Sequence, residues 1–190
     1  MKAEEKVYKA FFDVKEPKLY YNQIKERTNL SHSSLQNALE KIKNANMVGE
    51  EKTKANTFYI IKDKKVFSLK FSEIAIQKFN HLNVNVKTPL KNFLKNLPEA
   101  IYTIILFGSA SKSEESEESD IDILVVSSKK IDVTQNKKEA EITSKHPISI
   151  FYATISQFKE NKDDIIIQAR KTGFPIYKEQ NFYEVMLDGS

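Results

Sequence analysis

The sequence predicts an α+β protein of two successive parts, and three observations support this prediction. Apolar residues in the first part recur at helical spacing, as Val7, Ala10, Phe11 and Val14 do. A pattern typical of a β-hairpin follows these helical segments, and apolar runs typical of buried strands occupy the second part. The length of 190 residues suits two domains of about 90 to 100 residues each.

We expect three helices in the first part. The first covers roughly residues 4–14, and the second has Pro17 in its first turn, where a missing N–H costs little. Ser31 is a good N-cap for the third helix, because its side-chain oxygen can accept a hydrogen bond from a free backbone N–H. Four apolar residues should line the buried face of that third helix: Leu35, Ala38, Leu39 and Ile42.

A hairpin and a longer helix complete the first part. A strand is expected to begin at Met47 and Val48, residues 52–56 predict a turn, and residues 57–61 predict the returning strand. Residues 66–80 are expected to be mostly helical.

The domain boundary is expected at residues 81–88. Residues 83–87 show no helical period and precede Pro89. This predicts a first domain at residues 1–82 and a second at residues 88–190, opening with a helix at about 90–97.

Composition excludes several classes of protein. The chain has no cysteine, so disulfides and thiolate metal sites are excluded, and a reducing compartment fits. The longest strongly apolar stretch, residues 101–107, is far too short to cross a bilayer, and the charged start lacks the apolar run of a signal peptide. We therefore expect a cytoplasmic protein without a membrane partner.

Charge differs between the two parts. Residues 1–87 contain 17 Lys and Arg against 10 Asp and Glu, which gives +7. Residues 88–190 contain 13 against 16, which gives −3 and accounts for the overall +4. The asymmetry indicates that the first part alone faces a polyanion. A lysine-rich solvated surface would give the same count.

The order of the predicted elements in residues 4–62 resembles a winged helix-turn-helix domain, with three helices plus a β-hairpin. The stretch from Leu30 to Ile42, followed by Met47 and Val48, resembles that family's recognition helix and the start of its wing. The resemblance implies duplex DNA as a partner, with the start of the third helix in the major groove and wing lysines near phosphates. The implied DNA-binding residues are His32, Ser33, Ser34, Gln36, Asn37, Lys52 and Lys54. A dimerisation or protein-docking module is the alternative, and a homodimer stays open.

One motif in the second part carries chemistry. Gly108 and Ser109 follow the predicted strand at 101–107, and ten residues separate them from Asp120. A glycine after a buried strand lets the backbone turn and approach a ligand closely. A serine that opens a helix presents a hydroxyl and free N–H groups, which suit a phosphate.

Two aspartates begin the next predicted strand. Asp120 and Asp122 are two residues apart, so their side chains converge on one side while Ile121 and Ile123 face the core. Two carboxylates this close repel each other unless a cation lies between them. With oxygen ligands alone, that cation would be Mg²⁺ or Mn²⁺.

The segment from Gly108 to Asp122 resembles the DNA polymerase β-like nucleotidyltransferase superfamily, and most closely its minimal nucleotidyltransferases. The resemblance implies a mixed sheet flanked by helices, and transfer of a nucleoside monophosphate from an NTP with pyrophosphate leaving. It implies that Gly108 and Ser109 hold the triphosphate and that Asp120 and Asp122 are the catalytic, metal-binding residues. Lys112 stands where the family usually has arginine, and would touch phosphate as a point charge.

The chain departs from the family pattern in three places. Ser113 replaces a second glycine of the loop, and Ser149, on a strand expected at 148–152, takes the slot of a third carboxylate. A neutral hydroxyl cannot act as a strong general base. Four negative charges also lie in the loop, close to the expected triphosphate: Glu114, Glu115, Glu117 and Glu118.

These observations leave two functional hypotheses. In the first, the protein binds DNA or a partner through the winged helix, binds Mg-NTP, and transfers a nucleoside monophosphate to a protein or RNA acceptor. In the second, it is a transcriptional regulator whose inactive nucleotidyltransferase-like domain acts as a nucleotide sensor or dimer scaffold. Ser149 favours the second hypothesis, and the motif from Gly108 to Asp122 favours retained nucleotide binding.

Overall fold

The computed structural model describes residues 1–114, 116 and 119–188. These residues form two compact units. One contains Met1–Ile74 with the C-terminal residues from Tyr183 onward, and the other contains Ala75–Phe182. The limits 1–82 and 88–190 stay a prediction about the domains.

The first unit combines helices with a small antiparallel sheet. Its elements in chain order are α1 (Ala3–Val14), β1 (Lys18–Tyr20), α2 (Tyr21–Thr28), α3 (His32–Asn44), β2 (Val48–Lys52), β3 (Thr57–Ile61) and the first part of α4 (Lys64–Asn80). The strand order is β1-β3-β2. Ser31 caps α3 as predicted, since its side chain accepts a hydrogen bond from the Ser34 N–H at 3.2 Å. The four apolar residues predicted for the inner face of α3 are all buried.

The predicted hairpin is observed as β2 and β3, but the predicted start of the second helix was wrong, because residues 18–20 form a third strand, β1. Residues 18–20 had been assigned to the second helix, but Leu19 pairs with Tyr59 of β3 and is fully buried. The Pro17 carbonyl accepts a hydrogen bond from the Ile61 N–H at 2.9 Å. A strand of three residues is too short to display a readable alternation, so only its pairing with β3 reveals it.

The second unit is built on a mixed four-stranded sheet, as predicted. Its own elements are α5 (Val84–Phe93), β4 (Ile101–Phe107), β5 (Ile121–Ser127), α6 (Thr134–Glu141), β6 (Ile148–Thr154), α7 (Ile155–Glu160), α8 (Asp164–Thr172) and β7 (Phe174–Tyr177). It also contains the last residues of α4 and the first residues of α9 (Glu179–Asp188). The strand order is β6-β5-β4-β7, in which β5 and β6 are parallel and the other pairs antiparallel.

The reading of residues 83–87 as non-helical was wrong. Asn83 caps α5 by accepting a hydrogen bond from the Asn85 N–H at 3.0 Å, and the helix ends at Phe93 instead of about residue 97. Val86, Leu90 and Phe93 are fully buried. Their spacing of four and three residues is helical, so the signal was present in the sequence across Pro89.

The sheet brings three separate chain segments to one end. Because β4 and β5 are antiparallel, the end of β4 lies beside the start of β5, and Phe107 pairs with Asp122. Because β5 and β6 are parallel, their starts lie side by side, and Asp122 pairs with Ser149. Across the part of the chain that the structure describes, no helix combines the length and apolar character needed to span a membrane.

Candidate functional site

Gly108 makes the turn that leaves β4. Its φ is +70°, in the left-handed region that side chains with a Cβ rarely adopt. A Cβ at this position would lie 2.5 Å from Oδ2 of Asp122, which is far inside van der Waals contact. Glycine is therefore favoured here for its backbone conformation and also for the space that the Asp122 carboxylate fills.

A short 3₁₀ turn at Ala110–Lys112 follows Ser109. The Ser109 carbonyl accepts hydrogen bonds from the N–H groups of Lys112 at 2.9 Å and Glu114 at 3.1 Å. Ser111 is fully buried, and its hydroxyl donates to the Gly108 carbonyl at 2.8 Å. The sequence did not single out Ser111, and its burial indicates that it holds the turn in shape. Ser109, which precedes this turn, is half-buried.

Two other features of the turn bear on the predicted phosphate site. Lys112 is largely exposed, with Nζ 3.9 Å from a carboxylate oxygen of Glu114. Ser113 has a φ of +58°, so the position at which the family usually carries glycine also takes the left-handed conformation here. Negative charge close to the triphosphate was also predicted for three further glutamates, which lie outside the described residues: Glu115, Glu117 and Glu118.

Asp120 and Asp122 are both half-buried at the start of β5. Burial raises the pKa of the Asp122 carboxyl above its usual range, and the nearby charge of Asp120 raises it further. Among the residues that the structure describes, no Lys, Arg or His forms an ion pair with either aspartate. The pair is therefore a concentration of negative charge that protein cations do not balance.

Ser149 completes this cluster from the neighbouring strand. Its hydroxyl donates a hydrogen bond to Oδ2 of Asp120 at 2.7 Å, and its Cα pairs with that of Asp122. On the same side of the sheet, the rings of Phe107 and Phe151 lie 5.6 Å apart between centroids. The predicted strand and the predicted position of Ser149 beside the aspartates are thus observed, while the hydrogen bond to Asp120 was not anticipated.

The cluster supplies oxygen ligands only. Within residues 1–114, 116 and 119–188, no group of three or more His, Cys, Asp or Glu could hold a metal ion. Mg²⁺, however, is commonly bound by one or two carboxylates together with substrate phosphates and water. Asp120 and Asp122 fit that mode, and Gly108 lies directly beside the Asp122 carboxylate.

The predicted DNA-binding residues lie on the first unit. His32, Gln36 and Asn37 are exposed at the start of α3, and the His32 Nδ1 is hydrogen bonded to the Tyr21 hydroxyl at 2.7 Å. Ser33 is also exposed, whereas Ser34 is half-buried at the cap.

The two lysines of the predicted wing differ in their surroundings. Lys54 is exposed in the turn between β2 and β3. Lys52 Nζ lies 3.1 Å from a carboxylate oxygen of Glu50, whose other oxygen lies 2.6 Å from Lys43 Nζ. Part of the positive charge of the hairpin is therefore balanced within the unit itself.

A cavity of about 600 Å³ lies elsewhere in the second unit, at the opposite end of β5 and β6. Lys129, Lys130, Tyr152 and Gln157 are among its lining residues, and neither Asp120 nor Asp122 is. Since the two strands are seven residues long, about 20 Å separates their ends. The cavity and the aspartate cluster are distinct features of the sheet.

Comparison with known proteins identifies one family. The model of the family described as "Polymerase beta, Nucleotidyltransferase" matches residues 88–182, which is half of the chain and includes the whole aspartate cluster. No curated protein and no solved structure shows significant similarity to the chain.

Proposed function

The chain belongs to the polymerase beta nucleotidyltransferase family, and from this premise we propose that its second half binds a Mg²⁺- or Mn²⁺-complexed NTP and transfers the nucleoside monophosphate to an acceptor hydroxyl. The observation that carries the proposal is the meeting of Asp120, Asp122 and the Gly108 turn at one end of the sheet. Two half-buried carboxylates, with no protein cation paired to either among the described residues, are arranged to receive a metal ion.

Each residue has a distinct part in the proposed reaction. Gly108 keeps the backbone free of a side chain where the triphosphate would approach, and Ser109 with Lys112 would contact phosphate oxygens. Asp120 and Asp122 would hold the metal. When bound, the metal supplies stabilisation of the charge that develops on the attacking and leaving oxygens.

A specific observation favours a second candidate function. Ser149 occupies the slot of the third carboxylate and bonds to Asp120, and a hydroxyl cannot replace a carboxylate as general base toward an outside acceptor. This arrangement suits a domain that binds Mg-NTP as a sensor or dimer scaffold without transfer. Transfer to a protein or RNA acceptor and nucleotide sensing share the binding step, so one binding experiment tests their common basis.

That experiment is calorimetric titration of the full chain with each NTP, with and without Mg²⁺ or Mn²⁺. We expect metal-dependent binding that Asp120→Asn combined with Asp122→Asn removes. Asp164→Asn is the matched control, because Asp164 is an exposed aspartate of the same unit on α8. Equal binding by the wild type and the double variant would rule out the site. Adding NTP labelled in the α-phosphate, with protein and RNA acceptors, then separates transfer from sensing.

For the first unit we propose duplex DNA binding through a winged helix-turn-helix arrangement. The order of α1, β1, α2, α3, β2 and β3, with the three strands in one small sheet, supports this assignment. The polar residues at the start of α3 are exposed, as reading base edges requires. The ion pairs of Glu50 with Lys43 and Lys52 leave Lys54 as the better placed phosphate contact.

The alternative to DNA binding is that the first unit is a docking or dimerisation module, and a DNA-binding test distinguishes the two. The test is fluorescence anisotropy of labelled duplex DNA with the full chain at several salt concentrations. Absence of binding at low salt would favour the docking module. We keep the cytoplasm as the proposed compartment, since a chain without cysteine suits reducing conditions.

A further inference from the structure

We propose that Ser149 is itself an acceptor of the nucleotidyl group, so that the protein modifies its own chain with a nucleoside monophosphate. The inference rests on the proposed function, because it requires NTP binding at the aspartate cluster. It goes beyond that function by naming the acceptor atom, the Ser149 Oγ.

The first support is the bond between Ser149 and Asp120. The hydroxyl donates to the Asp120 carboxylate at 2.7 Å, within the range of an activated nucleophile and its base. A serine hydroxyl is a weak nucleophile until a base accepts its proton. Here the proton already points at a carboxylate, without any rearrangement of the chain.

The second support is the position of Ser149 on the sheet. The pairing of β6 with β5 is continuous, from Ile121 with Ile148 to Ser127 with Thr154. This fixes the Ser149 backbone beside Asp122. Phe107 and Phe151, whose rings pack together, flank the cluster on the same side of the sheet. Ser149 is half-buried, and the bond to Asp120 holds its hydroxyl at the cluster.

The third support is the small set of groups that the described residues bring to the cluster. Within the described part of the chain, no third His, Cys, Asp or Glu joins Asp120 and Asp122 in a group able to hold a metal. The Ser149 hydroxyl is the one that the structure places in hydrogen-bond contact with Asp120.

The proposed step balances with an NTP as the only co-reactant. A bond forms between Ser149 Oγ and the α-phosphorus, and the bond from that phosphorus to the bridging oxygen of the β-phosphate breaks. Pyrophosphate leaves with the electron pair, and the hydroxyl proton passes to Oδ2 of Asp120, the oxygen that Ser149 contacts. The other carboxylate oxygen of Asp120 would remain for the metal. The product is a phosphodiester on Ser149 that carries a negative charge beside two aspartates.

This product makes the reaction self-limiting. The modified Ser149 no longer has a proton to donate to Asp120, and its nucleotide occupies the space that a second NTP would need. We therefore expect one nucleoside monophosphate per chain and no further turnover. The modification would switch the site from an open to an occupied state.

The test combines intact-protein mass spectrometry with labelled nucleotides. The full chain is incubated with each NTP and Mg²⁺ or Mn²⁺, with the label in the α- or the γ-phosphate, and the modified peptide is sequenced. Ser149→Ala removes the acceptor, and Ser149→Thr keeps a hydroxyl. Ser156→Ala is the matched control, because Ser156 is an exposed serine of the same unit on α7. Calorimetry measures NTP binding by every variant.

We expect a mass increase of one nucleoside monophosphate at Ser149, with label retained from the α-phosphate and not from the γ-phosphate. Ser149→Ala should lose at least about nine-tenths of the label and still bind NTP. Ser149→Thr should keep part of the label, and Ser156→Ala all of it.

Two results would overturn the inference and leave the proposed function standing. One is metal-dependent NTP binding by the wild type with no added mass under any condition, and the other is undiminished labelling of Ser149→Ala. Absence of metal-dependent NTP binding by the wild type would instead reject the proposed function and this inference together.

Discussion

Gly108 and the carboxylate of Asp122 are in such close proximity that a methyl group on Gly108 would lie 2.5 Å from Oδ2 of Asp122. Gly108 is the first residue after β4, whose last residue, Phe107, pairs with Asp122 near the start of β5. The motif glycine is therefore in direct spatial contact with a proposed metal ligand, in addition to its part in shaping the turn. This contact leads to the first prediction.

Gly108→Ala should impair folding stability and binding together. The left-handed conformation alone should lower the free energy of unfolding by about 1 to 2 kcal/mol, and the added methyl group should displace the Asp122 carboxylate. Thermal unfolding and calorimetry with Mg-NTP measure the two effects. Gly49→Ala is the control, because its Cβ would meet only the flexible end of the Lys62 side chain. If Gly108→Ala bound NTP as tightly as the wild type does, the predicted effect of residue 108 on the Asp122 carboxylate would be contradicted.

The free energy of unfolding of the metal-free protein should depend on the ionisation of Asp122. The folded protein holds the Asp122 proton to higher pH than the unfolded chain does, because burial and Asp120 raise the pKa of this carboxyl. Ionising Asp122 therefore lowers the free energy of unfolding. The loss begins as the pH rises through the ordinary carboxyl range and is complete above the raised pKa.

Asp122→Asn should consequently stabilise the metal-free protein at neutral pH, and less so in acid. Metal and NTP together should stabilise only the wild type, by about 2.7 kcal/mol at a concentration one hundred times the Kd. Thermal unfolding from acid to neutral pH, with and without Mg-NTP, measures both effects. The sign of this prediction would be contradicted if, without metal, the stability of the wild type relative to Asp122→Asn increased from acid to neutral pH.

Ser149→Asp should restore a third carboxylate beside Asp120 and Asp122. We expect Mn²⁺ to bind more tightly by on the order of tenfold, which is about 1.4 kcal/mol. The metal-free variant should unfold more easily, since three carboxylates repel one another. Self-labelling should vanish, and transfer to an added acceptor should rise, because a base becomes available. Ser149→Asn is the control with the same shape and no charge, and similar Mn²⁺ affinity in both variants would refute the role of the added carboxylate.

Replacing lysines and amides of the first unit should affect DNA binding differently. Lys54→Ala should weaken binding to all duplexes alike and lower the slope of affinity against salt by about 1, as expected for one lost phosphate contact. Lys52→Ala should have the smaller effect, since Lys52 is paired with Glu50. Gln36→Ala or Asn37→Ala should instead reduce the preference between sequences. The measurement is fluorescence anisotropy at several salt concentrations, and loss of sequence preference in Lys54→Ala would contradict the assignment.

Much of the local structure could be predicted because its signals are close together in the chain. The Ser31 cap and the buried face of α3 depend on residues at most a few positions apart, and both were predicted correctly. The helix predicted at about 90–97 begins earlier, at Val84, because residues 83–87 were interpreted as lacking a helical period although Asn83 and the apolar spacing signalled it. Pro89 lies inside this helix and is buried.

The sequence by itself determined the chemistry available at the motif. A strand directs residues two apart to the same side, so Asp120 and Asp122 converge whatever surrounds them, and a glycine after a strand permits a left-handed turn. Tertiary structure alone decided the rest. The bond from Ser149 to Asp120 joins residues 29 positions apart, and it exists because β6 pairs with β5 in one register. Strand pairing depends on the packing of the whole sheet, and no local pattern within seven residues specifies the neighbour that a strand will have.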